Sequence, residues 1–260
     1  MAEEIRFDDG AAYERMMGTW SRLAGGPFLD WLAPAPGLRW LDVGCGNGAF
    51  TEMIVEQCAP ASVHGIDPSA GQLAFARGRP GAGMAEFSEG NAQALSFADD
   101  EFDVAVMALV IFFLPDPAKG VAEMARVARS GGTLATYAWD MFGGGFPLEP
   151  FRQEMGTLGI ASPLPPSSDA SRIDVLQSMW KNAGLRSIET RTIEIQRTFT
   201  DFDDLWSTSL CSSVGPAVAK MKPGDLERLR TQLRERLPVD AAGHITYSAR
   251  ANAIKGRMPA

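Results

Sequence analysis

The sequence predicts an α/β protein built on a doubly wound, mostly parallel sheet, and three observations carry that expectation. Short apolar runs alternate with helical segments between residues 39 and 139. A glycine-rich turn, Gly44, Gly46 and Gly48, lies directly between the first run and the helix that follows it. The second run ends in a carboxylate, Asp67. Strands joined by helical crossovers at this rhythm form a parallel sheet, with ligand sites beyond the strands' C-terminal ends.

Tyr13, Met16, Met17, Trp20 and Ala24 recur at helical spacing, and Phe28, Leu29, Trp31 and Leu32 predict a second short helix. Residues 34–37 (PAPG) break it, and RWLDV at 39–43 reads as a buried strand followed by a helix over 49–56. A second strand spans 62–67, then a helix over 69–77 with Ser69 as its N-cap. Strands follow at 84–90 and 102–109, the latter apolar enough for the middle of a parallel sheet. A helix over 119–128 is stopped by SGG at 130–132, and 133–139 is the fifth strand.

The rhythm then breaks. Residues 141–168, with a short helix at 151–158, predict an inserted cap beside the substrate. A helix at 171–183 closes on Gly184, and a strand at 188–198 places Ile193, Ile195 and Arg197 on one face. Pro223 opens a helix striped with Leu226, Leu229, Leu233 and Leu237, and 244–253 is a last strand. The expected organisation is a single domain over 1–260. It divides into a helical leader or lid (1–35), a cofactor-binding half (36–140), the cap (141–168) and a C-terminal completion of the sheet (169–260).

Composition narrows the function. The 32 acidic side chains against 24 basic ones give a net charge of -8, which opposes a polyanionic partner. No run of Lys and Arg interleaves with aromatics, so no nucleic-acid partner is expected, although a local patch could override the charge, and a small-molecule substrate is the more natural one. Cys45, Cys58 and Cys211 are widely spaced and only His64 and His244 are available, so neither a disulfide framework nor a metal site is expected. The acidic opening MAEEIRFDDG lacks the features of a signal peptide, which predicts a cytoplasmic protein. The longest apolar stretch, 104–114, has 11 residues and is too short for a membrane span. Oligomeric state is not legible.

The chemistry concentrates in LDVGCGNGAF, residues 41–50. Glycine there lets the backbone turn sharply and lets a ligand approach the peptide groups. The dinucleotide pattern G-x-G-x-x-G is not met, because the third glycine comes one residue early. Asp67 suits a ribose diol, since one carboxylate accepts from two adjacent hydroxyls, or it caps the following helix.

The runs WLDVGCGNGAFTEMI, HGIDPSAGQLAFAR, EGNAQALSFADDEFDVAVMALVIFFLPDP and RVARSGG together resemble the class I S-adenosylmethionine-dependent methyltransferases, in their small-molecule, type 11-like branch. YERMMGTWSRLAGGPFLDWL resembles the leader of one methyltransferase subgroup, and the likeness covers about residues 10–140. The resemblance implies a Rossmann-like seven-stranded sheet with an antiparallel last strand. S-adenosyl-L-methionine would be the cofactor and S-adenosyl-L-homocysteine the product. It places Asp42, Gly44, Gly46 and Ala108 around the methionine part, Asp67 at the ribose, Pro68 or Ser69 beside the adenine with Asn91 and Ala92, and Asn47 among the cofactor-binding residues. Asn91 departs from the Asp that relatives often carry, although an amide oxygen accepts the same hydrogen bond.

Methyl transfer is a displacement whose reactivity belongs to the cofactor, so the protein aligns the partners and excludes water. No catalytic residue is assigned; His64, His244, Asp140 and Tyr13 are the groups that a base-requiring acceptor would call upon. Tyr13, Met17 and Trp20 on the leader, with Trp139, Phe142 and Phe146 opposite, predict a lid for an aromatic or hydrophobic acceptor. Burial of the leader against the sheet would use the same side chains. A nicotinamide-dependent oxidoreductase and a non-catalytic cofactor-binding module stay open as alternatives.

Overall fold

The computed structural model describes residues 14–162, 164–212 and 214–260. Tyr13 lies outside the described residues. A π-helical turn, Glu14–Gly18, runs directly into helix α1 (Thr19–Leu32). The two helices expected between 16 and 32 are therefore one. The Gly25-Gly26-Pro27 sequence does not break it, because a Cβ at Gly25 would stand 3.0 Å from Met53 and Phe50. The glycine lets α1 press onto the next helix, and that packing offsets the hydrogen bond Pro27 cannot donate.

Strand β1 (Arg39–Val43), helix α2 (Ala49–Cys58), β2 (Ser62–Asp67), α3 (Ala70–Arg77) and β3 (Ala85–Glu89) follow. Ser69 caps α3, its hydroxyl accepting from the Gln72 N–H at 3.3 Å. Then come β4 (Phe102–Ala108), α4 (Pro117–Val127) and β5 (Ala128–Trp139). SGG at 130–132 does not stop a helix: α4 ends earlier and these residues lie inside β5, whose register against β4 shifts between Phe102 and Val104. Gly131, at φ 70°, accommodates this irregularity.

After β5 come α5 (Glu149–Thr157), α6 (Ile173–Asn182) and β6 (Arg186–Phe199). Next are α7 (Phe202–Ser209), α8 (Gly215–Ala219), α9 (Pro223–Arg236) and β7 (Ile245–Arg257). The seven strands form one sheet in the order β3-β2-β1-β4-β5-β7-β6, with β7 antiparallel to both neighbours. Helices α1 and α2 pack together on one face, and α4 and α6 on the other. Trp20, Phe28, Phe50, Tyr137 and Trp139 fill the first interface; Trp20, Phe28 and Tyr137 are fully buried. No helix among the described residues is long and apolar enough to cross a membrane.

Two features position the site. Loops after β1, β2, β4 and β5 leave the sheet on one side, as parallel strands require. The β6–β7 ribbon overshoots β5 on that side: β5 pairing ends at Trp139 with Ala251, while β7 continues back to Ile245 opposite Phe199. Residues 200–244, expected within the completion of the sheet, connect these strands through α7, α8 and α9. Helix α9 packs on α5, where Arg236 pairs with Glu154 at 2.6 Å. Residues 200–244 thus pack beside the 141–168 segment.

Candidate cofactor and acceptor site

The glycine loop is fixed from below by β2. Gly44 and Cys45 both donate to the Ile66 carbonyl, at 2.8 and 2.9 Å. Gly44, Gly46 and Gly48 all adopt positive φ, at 76°, 52° and 78°. Their surroundings differ. A Cβ at Gly44 would meet Val110 at 2.6 Å, and one at Gly48 would meet Ala76 at 2.9 Å, whereas at Gly46 nothing lies within 4 Å. Packing therefore explains two of the glycines. The third presents bare backbone to open space, as close approach of a ligand demands.

Asp67 closes the loop. Its Oδ2 accepts from the Gly46 N–H at 2.9 Å and its Oδ1 from the Ser69 N–H at 2.9 Å. Gly90, at the end of β3, donates to the Asp67 carbonyl, and Asn91 follows with its Oδ1 accepting from the Gln93 N–H. The structure therefore brings Gly44, Gly46, Asp67, Ser69 and Asn91 to one edge of the sheet. Pro68 and Asn91 are exposed there and Ala92 is buried. Half-buried Ala108 ends β4, two residues before the Val110 that Gly44 abuts.

Asp42 is fully buried, and its Oδ2 accepts from the Thr51 hydroxyl at 2.6 Å while its Oδ1 finds no donor. Burial pushes its carboxyl up to about 7, with the Asp67 charge adding and the Thr51 hydrogen bond opposing. Burial also raises the Asp67 carboxyl, against the pull of its two backbone donors. Two acidic groups held this way fit a ligand that carries a cation and hydroxyl donors. Burial and the Asp42 and Asp67 charges raise the Cys45 thiol well above its usual range, a setting that disfavours the thiolate.

Asn47 is not free to meet a ligand with its side chain. Its Nδ2 donates to Glu14 at 2.7 Å and its Oδ1 accepts from the Ala49 N–H at 3.2 Å. On the acceptor side, Trp20 and Trp139 meet edge to face with ring centroids 6.4 Å apart, and Trp20 lies 5.5 Å from Tyr247. Trp20 and Trp139 are sealed in the core, Met17 and Phe146 are half-buried, and Phe142 is 55% exposed.

Among the described residues, the three possible bases are all engaged. Asp140 is gripped by the Arg250 guanidinium at 2.7 and 3.0 Å. His64 lies in β2 against Ser88 and Phe97, and burial lowers its basicity. His244 is exposed and bound to Asp240 at 3.1 Å.

Sequence reasoning missed Glu14, Thr51, Arg79, Tyr247 and Arg250, none of which stands in a local pattern. Arg197 carried a signal: a cation on the apolar face of an alternating strand. It donates to the Arg15 and Met16 carbonyls and stacks over Phe199 with 4.5 Å to the ring centroid.

With this geometry established, comparison with known proteins is informative. The family profile described as a methyltransferase domain matches residues 41–136. Residues 41–136 belong to the type 11 methyltransferase-domain family. An uncharacterized protein of Mycobacterium tuberculosis is 36% identical to this chain over 104 residues, 40% of this chain and 38% of that one. A malonyl-[acyl-carrier protein] O-methyltransferase of Methylococcus capsulatus is 34% identical over 135 residues, 52% of this chain and 47% of its own. The chain thus spans less than half the length of these two relatives. The solved phosphoethanolamine N-methyltransferase 2 of Haemonchus contortus with S-adenosyl-L-methionine shares the fold, at TM-score 0.57 and 18% identity. That likeness covers 91% of this chain and 52% of that one. The methyltransferase domain includes β1 through most of β5, and so all of the loop cluster built above.

Proposed function

We propose that the protein transfers the methyl group of S-adenosyl-L-methionine to a small acceptor with an apolar or aromatic body. The observation that carries this reading is the Gly46 backbone, open to a ligand and pinned by Asp67, together with a buried Asp42 oxygen that no protein donor reaches. In this reading Gly44, Gly46 and Ala108 receive the methionine part, and Asp42 offsets its ammonium. Asp67 accepts from the ribose hydroxyls, with one lone pair left on each oxygen. Pro68, Ser69, Asn91 and Ala92 border the adenine. Asn47 contributes by shaping the loop.

The cofactor, when bound, supplies the activated methyl group. The chain's own residues align the acceptor and keep water out. The leader from residue 14 to 35, the 141–168 segment and the β6–β7 connection enclose the acceptor, with half-buried Met17, Phe146, Leu210 and Tyr247 as apolar surface. The test is calorimetric titration of the full chain with S-adenosylmethionine, S-adenosylhomocysteine and NAD, followed by an acceptor screen scored for methylated product. Binding of both sulfur compounds, rejection of NAD and methylation of an apolar acceptor are expected. Binding without any methyl transfer would leave a cofactor-binding module; binding of NAD alone would overturn the reading.

A further inference from the structure

The leader is joined to the glycine loop by a partly buried charge cluster that the methyl-transfer reading does not use. Glu14 Oε2 accepts from Asn47 Nδ2 at 2.7 Å and from the Arg79 guanidinium. Arg79 also donates to the Asn47 carbonyl at 2.6 Å and pairs with Glu52 at 3.0 Å. Glu52 in turn takes Arg22 and the Gly81 N–H. Burial works against the charged form of Glu52, yet its bonds to Arg22, Gly81 and Arg79 hold the carboxyl below its usual range.

Two carboxylates and two guanidiniums balance, but they do not share one element. Glu52 lies on α2, Arg79 follows α3 and Arg22 lies on α1, while Glu14 belongs to the π-helical turn ahead of α1. Asn47 is the only member inside the glycine loop. The turn is shaped for this contact. A Cβ at Gly18 would stand 2.8 Å from the Glu14 carboxyl carbon, so glycine there lets the side chain fold back toward Asn47. The opposite side of the turn is held by Arg197, which donates to the Met16 and Arg15 carbonyls at 2.9 and 3.0 Å. Arg15 reaches Cys211, beyond α7, at 3.0 Å. One turn of five residues therefore touches the cofactor loop, the β6–β7 ribbon and the 200–244 segment. Single π turns inserted in helices recur at functional positions.

We infer that Glu14 is a positioning residue: through Asn47 it couples the shape of the cofactor loop to the seating of the leader, so that each favours the other. The inference rests on the methyltransferase reading above. Asn47 Nδ2 has Glu14 as its acceptor and Asn47 Oδ1 holds the Ala49 N–H that begins α2. Withdrawal of Glu14 frees the amide to rotate and loosens the loop on the side where Gly46 faces the ligand. By linkage, a ligand that orders the loop strengthens the leader's hold by the same factor.

The test uses the full chain and S-adenosylhomocysteine, with calorimetric affinity and amide hydrogen exchange across residues 14–24 as readouts. In the wild type, ligand is expected to slow exchange in that segment. Glu14→Ala should weaken binding about tenfold, a typical coupling between two sites, and abolish the ligand-induced protection, with the melting transition kept cooperative. Gly18→Ala should do the same by displacing the carboxylate. Glu14→Gln should recover most of the affinity, because its amide oxygen still accepts from Asn47. Wild-type affinity in Glu14→Ala, with protection unchanged, would overturn the inference and leave the methyltransferase reading standing. Equal losses in Glu14→Gln and Glu14→Ala would overturn the route through Asn47 and leave only an ion pair with Arg79. No binding by the wild type would overturn the cofactor reading and this inference with it.

Discussion

Asp67 Oδ2 accepts the Gly46 N–H at 2.9 Å, so the carboxylate ending the second strand also sets the shape of the loop after the first. The same side chain accepts from Ser69 through its other oxygen. Replacing Asp67 with Ala strips two backbone N–H groups of their acceptor, each worth about 1–3 kcal/mol when left unsatisfied in a half-buried place. The expected result is a loss of cofactor affinity of at least about tenfold, read by calorimetry, together with a lower melting temperature.

Gly46 and Gly37 make a matched pair. Both have positive φ, at 52° and 76°, and at neither would an added Cβ have an atom within 4 Å. Alanine at either site should cost about 1–2 kcal/mol in stability for the left-handed backbone. Only Gly46 lies at the proposed cofactor site, because Gly37 precedes β1 and sits at the other end of that strand. Gly46→Ala should therefore abolish S-adenosylhomocysteine binding while Gly37→Ala binds as the wild type does. Equal affinities would remove the assigned role of Gly46.

Asp42 links the site to pH. Its folded value of about 7 lies above the unfolded 3.8, so the native state holds the proton more tightly between these limits. Its contribution favours folding at low pH and is lost as pH rises from about 4 to about 7, a swing on the order of 4 kcal/mol. Asp42→Asn removes that loss and keeps an oxygen for the Thr51 hydroxyl. Urea denaturation at a series of pH values from about 5 to about 8 should show the variant gaining on the wild type as pH rises. Cofactor affinity should move the other way, falling in the variant because a neutral amide no longer offsets the ligand's ammonium.

Trp20 anchors the leader. It is fully buried against Trp139 and Tyr247, with the Arg197 guanidinium 5.8 Å from its ring. Trp20→Ala should cost about 3–5 kcal/mol by leaving a cavity, and Trp20→Phe distinctly less. Chemical denaturation measures both, and a cost below about 1 kcal/mol would show that the leader is not held by this contact.

Much of the cofactor half was legible because its signals are local. Strand β1 falls at Arg39–Val43 and β2 at Ser62–Asp67, as the apolar runs predict, and Ser69 caps α3. Gly46 and Asp67 lie 21 residues apart, but parallel pairing of adjacent strands brings their C-terminal ends together in any such sheet. The expectation of two separate helices between 16 and 32 failed for a nonlocal reason, the packing of Gly25 on Met53 and Phe50. SGG at 130–132 misled likewise: pairing with β4 carries these residues into β5.

The sequence by itself determined the alternation of strands and helices, the glycine turn and the carboxylates that flank it. Periodicity and turn chemistry act over a few residues and leave a readable trace. Only the tertiary structure decided that Glu14 meets Asn47 and Arg79, that Arg250 claims Asp140, and that residues 200–244 pack beside the 141–168 segment. The Arg250–Asp140 pair joins positions 110 residues apart. A charge or an aromatic ring carries no mark of its partner until hydrophobic burial of the intervening elements sets the two side by side.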